Sequence, residues 1–398
     1  MAIKKIKLAV VVSHPIPYQV PFFRILAERA DVDLMVYFMS DIGISDKHAD
    51  PEFGKIIKFD LPLLSGYPFI FIKNYSPRQK NSFFGLINPA IIVKLFKSKP
   101  DYLFVHGWNS FSNCIAMFVA VLVGTKILMH GDTYFSGEAY KSRWKRLLKR
   151  VILWPLFKLS HKILYMGIES KKFFEHYGAY SNQLIFMPFS ADNKYLIDAR
   201  KSIDRDFERS KMGLRDSIVI LFSGKLVPRK RPMDVLLAYE KLSQSVSVPA
   251  GIKSRLAIVF MGDGELRGEL EKYTATRNIQ HVHFIGFKNL TKLPAYYAIA
   301  DIFVISSFNE CWGLVVNEAM CFGLPIISSN LVGATPDLVH EGENGYIYPC
   351  GDVEKLKECL EKMIISKKLR ERFGQKSFEI ISKYTSDEDA RSIMSALK

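Results

Sequence analysis

The stretch Ser306-Ser-Phe-Asn-Glu310-Cys-Trp312-Gly-Leu-Val-Val-Asn-Glu318-Ala-Met-Cys-Phe-Gly323 decides the fold. The run leading into it, Asp301-Ile-Phe-Val-Ile-Ser306, is short, apolar and β-branched, which predicts a buried strand. Leu314 to Phe322 reads as a short helix, with Gly323 placed for a left-handed stop. A strand, loop and helix start in that order leave orphan backbone N–H groups at the positive end of the helix dipole, which makes an anion cradle. Glu310 precedes the helix and Glu318 lies within it. Two carboxylates so placed can grip hydroxyls around a bound phosphate, the arrangement a nucleotide-sugar calls for. Glutamates near a helix start also serve the dipole alone, by roughly 0.3–1 kcal/mol, so the pair by itself leaves both readings open.

Working outward, strand and helix patterns alternate from end to end, which argues for parallel sheets with helices on both faces. Strands are predicted at 7–12, 33–38, 102–105, 126–129, 162–165 and 184–187, and again at 218–222, 256–261, 282–286, 302–305 and 325–328. Helices are predicted at 20–30, 90–98, 110–123 and 169–177, and at 353–365, 369–383 and 386–397. The polar, charge-dense stretch Asp198 to Ser217 reads as a linker between two halves, and Ser40 to Phe84 carries no assignable pattern. The fold class is therefore α/β, with two doubly wound, Rossmann-like domains. Their ligand crevices are expected at the carboxyl ends of the strands.

At 398 residues the chain is long enough for two cores, and its 48% apolar and 24% charged content is that of an ordinary folded protein. The formal charge of +15 is not ordinary and calls for an anionic partner. Five cysteines, Cys114, Cys311, Cys321, Cys350 and Cys359, lack metal-site spacing and read as reduced thiols of a cytoplasmic protein. The apolar run after Met1 is too short for a secretory leader and reads as a first strand. The longest apolar run, Cys114 to Gly124, falls well short of the ~20 residues that span a bilayer.

Further chemistry sits at other predicted strand ends. Gly224-Lys225-Leu-Val-Pro-Arg229-Lys230-Arg231 places a glycine turn and four cations after a strand, suited to a diphosphate, although charge runs are often only surface. Gly262-Asp-Gly264 fits a tight strand-to-helix turn, and Phe287 follows another strand end. Tyr296 and Tyr297 sit at helical spacing and read as core. In the first half His14, His106, His130 and Asp132 all follow strands; His130 ranks first and Asp132 second as groups that touch substrate. The segment Lys141–Lys158 sets Trp144, Leu147, Leu148, Val151 and Trp154 at helical spacing beside lysines and arginines. Such a helix suits an anionic membrane surface, or else packs its apolar side on the core. No nucleic-acid module is recognisable, and nucleic acid is not an expected partner.

Taken together, Glu310, Trp312, Gly313, Leu314, Glu318, Ala319 and Gly323-Leu-Pro-Ile326 resemble, position by position, the donor-binding motif of retaining glycosyltransferases of family 4, which have the GT-B fold. The basic loop is similar to that family's phosphate element, with Lys225 where arginine is usual, Lys230 matching its lysine, and Arg231 in place of its glycine. The resemblance implies two Rossmann-like domains facing a central cleft, 1–197 on the acceptor side and 198–383 binding the nucleotide-sugar, with 384–398 packing back on the first. It implies that Glu310 binds sugar hydroxyls and Glu318 the ribose. Gly224, Lys225, Lys230, Trp312, Gly313 and Leu314 would hold the diphosphate, Gly262 and Phe287 would lie by the nucleobase, and His130 and Asp132 would serve the reacting sugar.

The implied activity is transfer, with retention, of a sugar from a nucleotide-sugar to a hydroxyl of a glycan or lipid-linked acceptor, in cell-surface polysaccharide or lipopolysaccharide biosynthesis. No metal and no cofactor are expected, since the nucleotide-sugar is a substrate. The expected place is the cytoplasmic face of the membrane. A nucleotide-sugar 2-epimerase, or a non-catalytic binder of sugar nucleotides or polyanions, are the alternatives.

Overall fold

The computed structural model describes residues 4–45, 58–77 and 82–398. Much of the unassigned stretch Ser40 to Phe84, at 46–57 and 78–81, lies outside the described residues. Two compact units divide the chain: residues 1–190 with 386–398, and residues 191–385. The first division thus falls seven residues before the expected 197/198, because residues 191–197 lead into the helix Asn193–Ser202, which packs within the second unit.

The first unit is a parallel seven-stranded sheet: β1 (Ile6–Val12), β2 (Val32–Phe38), β3 (Phe69–Phe71), β4 (Tyr102–His106), β5 (Lys126–His130), β6 (Lys162–Tyr165) and β7 (Leu184–Phe186). The spatial order is β3-β2-β1-β4-β5-β6-β7. Leu8, Val10 and Val12 enter the core on one face, while Ala9 and Val11 enter the core on the other. Burial on both faces is why β1 reads as a continuous apolar run without alternation. Helices Val20–Ala27 and Ser386–Ala396 cover one face; Ala90–Ser98, Phe111–Leu122, Arg143–Leu159 and Ile168–His176 cover the other. The last helix is held by the Tyr102 hydroxyl, which donates to the Leu397 carbonyl at 3.0 Å.

The second unit is a parallel six-stranded sheet: β8 (Ile218–Ser223), β9 (Leu256–Met261), β10 (Val282–Gly286), β11 (Ile302–Ile305), β12 (Ile326–Ser329) and β13 (Gly345–Tyr348), in the order β10-β9-β8-β11-β12-β13. The expected linker Asp198–Ser217 is not one. It holds the end of the helix Asn193–Ser202 and all of Arg205–Lys211, whose N-termini are capped by Asp192 and Asp204. Arg209, 8% exposed, donates to the Ile299 and Ser217 carbonyls and pairs with Asp301, fastening this polar segment to the sheet.

Each sheet reverses its strand order once, at β1 beside β4 and at β8 beside β11. In open parallel sheets the loops leaving such a pair diverge and leave a ligand crevice. In the second unit those loops are Gly224–Arg231 and Ser306–Gly313, the two segments that the sequence singles out.

Candidate active site

The glutamate loop is held from behind by backbone. Gly333 N–H donates to the Glu310 carbonyl at 2.9 Å and Ala334 N–H to that of Trp312 at 3.0 Å. Gly313 closes the loop at φ +100, where a Cβ would meet Ile305, Val332 and Glu310 at 3.2–3.3 Å. The helix Leu314–Cys321 starts directly after it with no side-chain cap, so its first N–H groups keep the anion-seeking character the sequence predicts. The Trp312 indole is buried and donates to Asn317 Oδ1 at 3.0 Å. What this position offers a phosphate is therefore backbone, while the ring braces the loop.

The basic loop reaches Glu310 directly. Lys230 Nζ is paired with Glu310 Oε2, and Arg229 Nη1 lies 3.9 Å from the same oxygen. Ser306 Oγ, at the end of β11, donates to the carbonyls of Lys230 (2.7 Å) and Arg231 (3.0 Å), and Phe308 N–H to that of Arg229. The two loops are thus stitched together at the reversal of strand order. Arg231 takes the left-handed conformation at φ +50, which accounts for the glycine usual at this place; its guanidinium is tied to Asp234 by two hydrogen bonds. Gly262 needs its lack of a side chain for a closer reason: a Cβ there would lie 1.9 Å from the Gly224 carbonyl oxygen. The turn after β9 is pressed on the basic loop, with Leu226 N–H donating to the Asp263 carbonyl at 2.9 Å. Phe287 follows β10 and is 42% exposed.

Glu318 stands one helical turn in, half-buried, and receives the Tyr297 hydroxyl on Oε2 at 2.5 Å. Burial raises its pKa to about 7 against the opposing pull of that hydroxyl. Tyr297, expected as plain core, is indeed fully buried, yet its oxygen also lies 3.1 Å from Ser223 Oγ.

In the first unit, β4 and β5 end side by side with His106 and His130 in register. His130 is 1% exposed; Nδ1 meets the Leu164 carbonyl at 2.9 Å and Nε2 has no partner among the described residues. Burial, helped by neighbouring His106, pushes its pKa down to about 4, so it is neutral at physiological pH. His106 is the hub the sequence ranking missed: Nδ1 contacts Gln19 Nε2 from the loop after β1, and Nε2 lies 3.3 Å from Asp132 Oδ1. Burial works to raise Asp132, but His106 and then His130 outweigh it and its pKa is lowered. Strand register was the missing signal, since it is what brings His106 beside His130. Ligand atoms of His106, His130 and Asp132 lie within 4.8 Å of one another. His14 bonds Ser13 Oγ through Nδ1 at 2.9 Å.

Residues 204–379 match the model of the family described as Glycosyl transferases group 1. The match covers less than half of the chain. The sulfoquinovosyl transferase of Arabidopsis thaliana is 25% identical over 307 residues, 75% of this chain and 56% of that protein. The UDP-Gal:alpha-D-GlcNAc-diphosphoundecaprenol alpha-1,3-galactosyltransferase of Escherichia coli is 25% identical over 288 residues, 70% of this chain and 71% of that one. The chain spans about half the length of the other curated relatives it matches. Among solved structures, Anabaena HepE in complex with UDP and glucose superposes with a TM-score of 0.73 at 16% identity, covering 98% of this chain and 99% of that one. A likeness at that identity shows the fold: two Rossmann-like parallel-sheet units, the GT-B architecture.

The matched segment holds Lys225, Lys230, Glu310 and Glu318 on the two stitched loops and the helix after them. Outside it, the helix Arg143–Leu159 turns only Leu153 and Phe157 fully into the core. Trp144, Leu147, Leu148, Val151, Ile152 and Trp154 are all at least half exposed, so the reading in which this row packs on the core fails. No helix of the described residues is long and apolar enough to cross a membrane.

Proposed function

We propose that the chain is a retaining glycosyltransferase that moves a sugar from a nucleoside-diphosphate sugar to a hydroxyl of a glycan or lipid-linked acceptor, in building a cell-surface polysaccharide or lipopolysaccharide. The observation that carries this reading is the joining of the basic loop to the glutamate loop at the β8/β11 reversal, with Lys230 seated on Glu310. A cation for the leaving diphosphate and a carboxylate for the sugar are thereby held at one place. UDP is the first donor nucleotide to test, as HepE was solved with UDP and glucose and the E. coli relative is named for UDP-Gal.

When the bond from the anomeric carbon to the diphosphate oxygen breaks, negative charge grows on the phosphate and positive charge on the sugar ring. Lys225, Lys230 and the N–H groups following Gly313 stabilise the first, in a site organised before reaction. Glu310, released from Lys230 as the diphosphate claims that cation, accepts from sugar hydroxyls on the face of the developing cation. Glu318 accepts from the ribose diol, and the turn at Gly262 and the ring of Phe287 flank the base. His130, neutral and with Nε2 unpartnered, is suited to accept from a sugar hydroxyl, and Asp132 steadies the neighbouring His106. Side-chain cations and the helix N-terminus perform the charge neutralisation that a metal ion supplies elsewhere, so transfer needs no metal; activity retained in a chelator tests this, and its loss, restored by a divalent ion on His106, His130 and Asp132, refutes it.

The exposed apolar row of Arg143–Leu159, flanked by Arg143, Lys145, Arg146 and Arg150, supports attachment to an anionic membrane surface on the cytoplasmic side. The deciding experiment incubates the chain with UDP-, GDP- and ADP-sugars and follows nucleotide release and the anomeric configuration of the product by NMR. A transferred sugar with unchanged configuration is expected. An epimerised nucleotide-sugar, or binding without turnover, overturns the reading.

A further inference from the structure

We propose that Tyr297 is a positioning residue for donor binding: with Ser223 it forms a buried hydroxyl relay that aims the Glu318 carboxylate at the ribose. This rests on the reading of Glu318 as the ribose grip. The geometry is specific. Tyr297 Oη lies 2.5 Å from Glu318 Oε2 and 3.1 Å from Ser223 Oγ, and it has one proton to give. Of the two neighbours the carboxylate is the stronger acceptor, so the phenol donates to Glu318 and the Ser223 hydroxyl donates back to the phenol oxygen. Oε1 stays open for a ligand, with one remaining lone pair on Oε2.

Three elements contribute one group each: Ser223 ends β8, Tyr297 lies on the helix Leu293–Ile299, and Glu318 lies on Leu314–Cys321. Ser223 is also the residue immediately before Gly224-Lys225, so the relay joins the root of the phosphate-binding loop to the ribose carboxylate. The phenol ring is held in place independently of its hydroxyl, against Phe322 (centroids 5.6 Å, 24° between planes) and Phe303 (6.2 Å). Near Glu318 the buried Cys321 thiol is pushed upward by burial and then by Glu318 itself and stays neutral, and Arg200, from the helix Asn193–Ser202, donates to the Cys321 carbonyl at 3.3 Å. No cation bonds the carboxylate among the described residues, and the Tyr297 hydroxyl is what opposes its protonation.

Only the ionised carboxylate accepts from both hydroxyls of a ribose diol. With the Tyr297 hydrogen bond already opposing burial, Glu318 titrates at about 7, and removing that one bond, which favours the anion, moves its titration higher. The test titrates the tightest-binding of UDP, GDP and ADP into wild type, Tyr297→Phe, Ser223→Ala and Glu318→Gln between pH 6 and 9. Tyr297→Phe keeps the ring contacts and so keeps the fold, which its Tm checks.

The expected result for Tyr297→Phe is about a tenfold loss of affinity at pH 7 that recovers to within about twofold at pH 9, and a smaller shift in the same direction for Ser223→Ala. In turnover the donor KM rises while kcat stays near wild type. A Tyr297→Phe profile identical to wild type, or a loss equal at every pH, overturns the relay while leaving the ribose grip intact. Unchanged nucleotide binding in Glu318→Gln overturns the ribose grip itself, and the relay with it.

Discussion

The two units reverse their strand order at equivalent places, β1 beside β4 and β8 beside β11, but the loops there are furnished differently. At β8/β11 the loops carry lysines, arginines and a glutamate, shaped by glycines at positive φ and laced together through backbone carbonyls. At β1/β4 they carry prolines, Tyr18, Gln19 and His106, with His130 from β5 beside them. One cluster sets lysine and arginine against a glutamate, and the other sets a neutral, buried His130 beside His106 and the carboxylate of Asp132. His130 stays uncharged at physiological pH because burial pushes its pKa down to about 4, whereas the β8/β11 loops set whole charges against one another. Under the proposed function, the same architecture would separate holding a charged leaving group from recognising a sugar.

Glu310→Gln should break this division most visibly. It removes the charge on the developing cation's face and leaves the rest of the loop intact, so kcat is expected to fall about 10²–10³-fold while nucleotide affinity changes by a few-fold only. Undiminished nucleotide release by this variant would sink the assignment. His130→Ala should cost less, about 10–10²-fold in kcat/KM, with nucleotide affinity unchanged because the residue lies in the first unit and the basic loop in the second. Its low pKa adds a sharper requirement: no inflection in the activity profile between pH 6 and 8 belongs to His130. The inflection in that range is Glu318's, and a profile that moves on His130→Gln rather than Glu318→Gln would reverse the two roles.

Stability offers a third comparison. Glu318 rises from an ordinary 4.5 to about 7 in the fold, so the folded state holds a proton the unfolded chain has lost. Between those values stability therefore falls as pH rises, and beyond about 7 the loss is complete. Glu318→Gln should raise Tm by a few degrees at pH 8 and leave it nearly unchanged at pH 4. Equal shifts at both values would mean that the carboxylate is not strained. A binding residue that weakens the empty protein is what a site tuned for a ligand looks like.

How much of this was legible before the coordinates differs between the units for a physical reason. In the second unit the chemistry lies in contiguous segments where glycine, charge and strand end coincide, so Glu310, Glu318, Lys225 and Lys230 stood out in the sequence, and the family resemblance supplied the roles proposed for them. Tyr297 could not, because a buried tyrosine at helical spacing looks the same whether or not its hydroxyl reaches a carboxylate 21 residues later. In the first unit the important contacts join residues far apart in sequence. His106 meets Gln19 and Asp132 only through strand register, and ranking histidines one at a time put His130 ahead of it. The edge strands β3 and β13 were not read from the sequence. The polar segment around Arg209 misled because its caps and its one buried guanidinium look, in sequence, like linker charge.

The smallest expected effect concerns the outer surface of the first unit, where the structure changes the weights within one expectation. The sequence sets both cations and an apolar row on Lys141–Lys158, and the part of vesicle binding that rests on charge is screened by salt. Lys141 and Lys149, however, both pair with the buried Glu138 at 2.8 Å, which also receives the Tyr177 hydroxyl. Two of the cations thus serve the fold, while Trp144, Leu147 and Val151, each more than 60% exposed, remain for the interface. Hydrophobic insertion does not depend on ionic strength, so part of the binding should survive 0.5 M salt. Replacing Trp144, Leu147 and Val151 together by serine should remove that salt-resistant part, whereas replacing Lys145, Arg146 and Arg150 by glutamine should remove the salt-sensitive part. If charge replacement alone abolished all binding, the exposed row would be a surface without a membrane to meet.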